Sequence, residues 1–101
     1  MSIDIIFHTQ DTYYSVNKII DFISKENPNL FDINFIIYQA DESNDIDKEI
    51  AKEFHFNSIS NFRVSLNKKE MADRINEMVL IVRNYFDKES LVLFQNETPI
   101  K

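Results

Sequence analysis

Between Phe62 and Glu97 the hydrophobic period switches from two to 3.6 and back to two. Phe62, Val64 and Leu66 alternate with Asn61, Arg63 and Ser65, as the two faces of a half-buried strand do. Met71, Ile75, Met78, Val82, Tyr85 and Phe86 then recur at helical spacing, and the run Val79-Leu80-Ile81-Val82 widens the stripe. The spacing therefore predicts a helix set deep in the core. Asn67 with Glu70 three residues on reads as a capping box, and Leu66 and Met71 fall at the positions of a hydrophobic staple. Glu70 and Arg74 stand as an i, i+4 ion pair. Leu91 to Gln95 returns to a strand, ended by Asn96.

The first half echoes this order. Ile3 to His8 reads as a strand with Ile3, Ile5 and Phe7 on one face. Asp11 or Thr12 can cap a helix bearing Tyr13, Val16, Ile19, Ile20 and Ile23, which Asn27-Pro28 stops. Ile33 to Tyr38 is a second strand, with Ile33, Phe35 and Ile37 sharing a face. After a polar, acidic loop from Gln39 to Asn44 comes a short helix with Ile46, Ile50 and Phe54 in line. The order β-α-β, short helix, β-α-β over 101 residues predicts one α+β domain. Two such units predict a four-stranded, ferredoxin-like sheet with both long helices on one face. The other face is then open, and is expected to carry Asp4, Ile6, His8, Asn34, Ile36, Tyr38, Asn61, Arg63, Ser65, Val92 and Phe94.

The chain contains 0 Gly, which removes phosphate-binding loops, dinucleotide fingerprints and nucleophile elbows together. Tight turns are then expected to fall on Asn, Asp, Ser or Pro. With 0 Cys there is neither a disulfide framework nor a thiolate. No apolar run approaches the ~18 residues of a membrane span, and the N-terminus lacks signal-peptide features. A cytoplasmic location is the expectation.

The net charge of -6 is unevenly placed. Residues 1–57 carry 11 acids against 4 bases, and residues 58–101 carry 6 against 7. An acidic half argues against a nucleic-acid backbone as partner. Asp41, Glu42, Asp45, Asp47, Glu49 and Glu53 concentrate the excess. They serve either a basic partner or ordinary solvation. Ile46, Ile50 and Phe54 are expected to hold the short helix down and turn these acids outward. Tyr38, Arg63 and Phe94, on the open sheet face, form the other candidate partner surface.

A calcium loop begun at Asp41 fails on its own pattern: Ile46 stands where glycine is required and Lys52 where the bidentate Glu belongs. His8 and His55, the only histidines, have no assignable nucleophile or third group, and both are expected to be structural. The expected catalytic set, cofactor set and metal set are all empty.

The segments Phe62-Arg63-Val64-Ser65-Leu66-Asn67-Lys68 and Leu91-Val92-Leu93-Phe94-Gln95-Asn96-Glu97, with a short helix before the first, resemble small immunity proteins of bacterial polymorphic-toxin systems. The likeness is to the Sit class, linked to contact-dependent toxin exchange. It covers a little under half the chain. One departure is Asn96, where a glycine is expected before the terminal Glu. The resemblance implies a non-catalytic inhibitor that binds and neutralises a cognate toxin, and the acidic balance suits a basic, nuclease-like toxin domain. The alternative is a phage or mobile-element accessory protein acting on a host defence or regulatory factor.

Overall fold

A computed structural model describes residues 3–31 and 34–100. The central ladder joins β1 (Ile3–Thr9) to β4 (Ser60–Leu66) in antiparallel register, from Ile3 opposite Leu66 to Thr9 opposite Ser60. Strand β5 (Leu91–Phe94) flanks β1 on its other side, again antiparallel. Two short strands share the outer side of β4. They are β2 (Phe35–Ile37), opposite Val64 to Leu66, and β3 (Asp41–Glu42), opposite Ser60 and Asn61. The order is β2-β4-β1-β5, with β3 off this path. The sheet thus has five strands rather than four, because the acidic loop supplies one of its own. Between β2 and β3 the side chain of Asn17 takes the place of a strand: Ala40 N donates to Asn17 Oδ1 at 2.6 Å, and Asn17 Nδ2 donates back to Ala40 O at 3.3 Å. Ile33, expected beside Phe35 and Ile37, lies outside the described residues.

One sheet face is covered by α1 (Tyr13–Glu26) and α4 (Ile75–Arg83). Val16, Ile20 and Ile23 of α1 and Ile75, Met78, Val79 and Val82 of α4 join Ile5, Phe7, Phe35, Phe62, Val64 and Val92 in one apolar cluster. Phe7 and Phe62, cross-strand partners, stack at 4.8 Å, and Phe62 stacks on Phe86 at 6.0 Å. Thr12 caps α1 by accepting from Ser15 N. Asn27 closes it, and Pro28 opens the short α2 (Pro28–Phe31), where a missing N–H costs nothing.

The segment after β4 differs from its sequence pattern. Lys69–Arg74 is a 3-10 helix with Lys68 at its N-cap and no side-chain cap, so the Asn67–Glu70 capping box does not form. Arg74 bonds Glu77 instead of Glu70, at 2.9 and 3.1 Å. The tighter helix shifts every side chain relative to 3.6 spacing, which removes the i, i+4 alignment. Leu80 is 62% exposed, so α4 buries one side of its apolar run and not the whole of it.

The last strand also turns over. Val92 and Phe94 register with Phe7 and Ile5, which puts them on the helix-covered face, not the open one. Leu91 and Leu93 take the opposite face, beside His8 and Ile6. Leu-Val-Leu-Phe is apolar on both sides, so alternation could not choose between the two registers. The choice is made by β1 and by the following turn, where Phe94 N donates to Thr98 O and Ile100 N to Val92 O, both at 2.8 Å.

Without glycine, left-handed backbone falls on His55 (φ 58) and Glu97 (φ 68), neither of them among the expected turn formers. His55 ends the helix before it: His55 N donates to Lys52 O and Phe56 N to Ala51 O, the double bond of a Schellman cap. Glu97 sits in the three-residue turn after β5, at the position glycine favours.

Two stability outcomes follow. Met78→Ala should cost about 2–5 kcal/mol, whereas Leu80→Ala should stay within about 0.5 kcal/mol of wild type, both measured by chemical denaturation. His55→Gly should stabilise by roughly 0.5–1 kcal/mol, relieved left-handed strain exceeding the freedom added to the unfolded chain. A thermal scan should show Tm a few degrees higher.

Candidate functional site

The second sheet face is not left open along its length. Helix α3 (Asp45–Lys52) and the segments on either side of it lie over the end formed by His8 and Asn61. These two residues are cross-strand partners and point away from the core cluster. Asn44 and Asp47 close a capping box: Asp47 N donates to Asn44 Oδ1 at 2.8 Å, and Asn44 N donates to Asp47 Oδ2 at 3.1 Å. Asn61 Nδ2 donates to that same Asp47 oxygen at 3.0 Å and to Ser43 Oγ at 3.0 Å. Ser43 and Ser58 share a hydroxyl hydrogen bond of 2.6 Å, and Ser58 Oγ meets His8 Nδ1 at 2.9 Å. Ser43, Ser58 and His8 are all buried. No buried side-chain nitrogen or oxygen among the described residues lacks a partner.

This clasp changes how α3 presents its side chains. Its one buried residue is Ala51, while Ile50 and Phe54 are half-buried. Ile46, expected to hold the helix down, is 67% exposed. The buried line runs through Asp47, Ile50, Ala51 and Phe54, because the cap and its bond to Asn61 turn Asp47 toward the sheet. Asp41, Glu42, Asp45, Glu49 and Glu53 are exposed. The candidate acids thus divide into five surface carboxylates and Asp47, which is occupied within the fold.

Of the other candidates, Tyr38 and Arg63 meet on the second face, the guanidinium 4.4 Å from the ring centroid. Arg63 also approaches Asp4 at 3.9 Å. Phe94 does not join them, for it packs against the core cluster. Sequence reasoning missed Ile46 as a surface residue and the two serines as an internal clasp. The signal for the serines was thin, since serine is ordinarily exposed.

The imidazole of His8 is held below its ordinary pKa, mainly by burial and against the opposing pull of Asp47. Among the described residues no three His, Asp or Glu side chains are grouped to hold a metal ion, and no helix is long and apolar enough to cross a membrane. What the second face offers is an acidic helix, capped and bonded to the sheet through Asp47, with Ile46 exposed among its carboxylates.

The family of CDI system immunity components matches residues 1–98, and the chain belongs to it. It is an immunity component of a polymorphic-toxin system, a non-catalytic inhibitor of a cognate toxin. Its fold is similar to a chain in a solved CdiA-CT/CdiI toxin and immunity complex from Burkholderia pseudomallei, at 28% identity and a TM-score of 0.92, covering 96% of this chain and 95% of that one. No curated protein matches the sequence.

The His8 clasp carries a pH dependence of definite sign. The folded imidazole binds its proton only below its ordinary pKa of 6.5, whereas the unfolded chain binds it near that value. Between those values the unfolded state holds more protons. Stability from this group is therefore complete above 6.5, falls as pH is lowered through that window, and levels off below the folded pKa. Denaturation midpoints taken from pH 8 to 5 should show this loss in wild type, and His8→Gln should lack that part of the slope.

Proposed function

We propose that this immunity protein holds its toxin through the outer surface of β3 and α3. Asp41, Glu42, Asp45, Glu49 and Glu53 would supply the attraction, with exposed Ile46 among them as the apolar anchor. The observation that carries the reading is this juxtaposition. Over residues 41–53 six acids face two bases, and the only large apolar side chain in the stretch that is mostly exposed sits between them. Interfaces place an apolar contact inside a charged rim in this way. A surface charge adds little to the stability of its own fold, roughly 0–1 kcal/mol per pair, so the density of acid is better understood as serving association.

The partner we infer is a basic, nuclease-like toxin domain met in the cytoplasm. Complementary charge speeds encounter with such a domain and disfavours acidic competitors. Tyr38 and Arg63 would extend the contact along the sheet, Tyr and Arg being frequent anchors of binding energy. Family membership selects this reading over a phage accessory factor. We also read the order β2-β4-β1-β5, antiparallel throughout, as a ferredoxin-like sheet with β3 and α3 inserted before β4.

The test uses the cognate toxin domain, purified with and without its inhibitor. Asp45→Lys with Glu49→Lys should slow association about tenfold or more at low salt, and added salt should slow wild type toward the variant. Asp47 is left intact, since its loss would uncap α3. Association unchanged at low salt would reject the α3 surface and shift attention to Tyr38 and Arg63.

A further inference from the structure

We propose that the chain of His8, Ser58, Ser43, Asn61 and Asp47, buried at His8 and the two serines and half-buried at Asn61 and Asp47, is the positioning device of the toxin-binding surface. It fixes the rotation of α3 on the sheet, so that affinity depends on residues that touch no toxin. The inference rests on α3 being the docking element.

Three observations carry it. Apolar contact holds α3 only loosely: Ala51 is its one fully buried residue, Ile50 and Phe54 are half-buried, and apolar attraction is non-directional. Hydrogen bonds, which are directional, do define one. They also converge from both sides of the helix. Ser43 precedes it and Ser58 follows it, and the two hydroxyls meet at 2.6 Å over the single cross-strand pair His8 and Asn61. Finally, Asn61 reaches the capping box itself through Asp47 Oδ2, which ties the first turn of α3 to the central strand. The backbone repeats the attachment: Ser43 N donates to Ile59 O, and Ile59 N to Thr9 O. With this clasp intact, Asp45 and Glu49 keep a fixed relation to β3. Without it, α3 is left with the non-directional contacts of Ile50, Ala51 and Phe54, and the acids lose their register with Asp41 and Glu42.

The experiment compares destabilisation at two places. Asn61→Ala and the milder Ser43→Ala cut the clasp, while Val79→Ala weakens the helix layer on the opposite sheet face. Each purified variant is measured for Tm, for toxin Kd, and for amide exchange in residues 45–52. The expected result is about tenfold weaker toxin binding for Asn61→Ala with faster exchange confined to α3. Val79→Ala should lower Tm at least as far and leave Kd unchanged. Should Asn61→Ala not fold, Ser43→Ala decides alone, with a smaller loss in the same direction. Unchanged Kd in the clasp variants, or equal weakening by Val79→Ala, would overturn the proposal. The charge reversal Asp45→Lys with Glu49→Lys separates the two ideas. If reversal slows association and clasp variants do not, only the positioning role fails. If reversal has no effect, α3 is not the docking element.

Discussion

The antiparallel pairing of β1 with β4 is the interaction on which both halves of this protein depend. Its seven-residue register puts Ile5 opposite Val64 and Phe7 opposite Phe62 on one face, and His8 opposite Asn61 on the other. Because side chains alternate with a period of two, the faces cannot be adjusted separately. A slip of β1 by one residue against β4 would turn His8 into the apolar cluster and carry Phe7 away from Phe62 to the opposite face. The register that builds the core is thus the register that lays down the footing for α3.

The two layers on this sheet are held by different forces. On the helix-covered face α1 and α4 bury isoleucines, valines and a methionine, a non-directional attraction proportional to area. On the other face a short helix with little apolar surface is held by a connected set of hydrogen bonds among buried and half-buried polar groups. Such a network carries a high penalty if half made, since each orphaned group would be stranded without water. Completed, it specifies one arrangement. A seat defined by direction rather than by greasiness keeps the exposed α3 carboxylates in one orientation, which the proposed toxin-binding surface requires. It also leaves Ile46 free of any duty in the fold.

The lack of glycine moved strain to unusual places. His55 takes the left-handed position that ends α3, and Glu97 the one that turns the chain back after β5. Both flank the elements that carry charge or close the sheet edge. A polar side chain at each position accepts a backbone cost that glycine would avoid, and the Schellman bonds at Ala51 and Lys52 show how the surroundings hold His55 there.

The sequence by itself determined the main elements of this protein and the faces of β1 and β4. Ile3, Ile5, Phe7, Phe62, Val64 and Leu66 alternate with residues polar enough to mark the second side, so the local period was sufficient. It also determined where acid accumulates, since charge is a property of composition. Only the tertiary structure decided the face of β5, because Leu91 to Phe94 is apolar on both sides and its register belongs to β1. Only there did Asp41–Glu42 become a strand, a pairing that needs β4 as its template. The rotation of α3 was likewise beyond local pattern. Ile46, Ile50 and Phe54 form a plausible apolar stripe, yet Asn61, distant in sequence, draws Asp47 inward and leaves Ile46 in water. Local periodicity reports what a segment could bury. Which side it does bury is settled by long-range partners, and here those partners are hydrogen-bonding side chains that no period reveals.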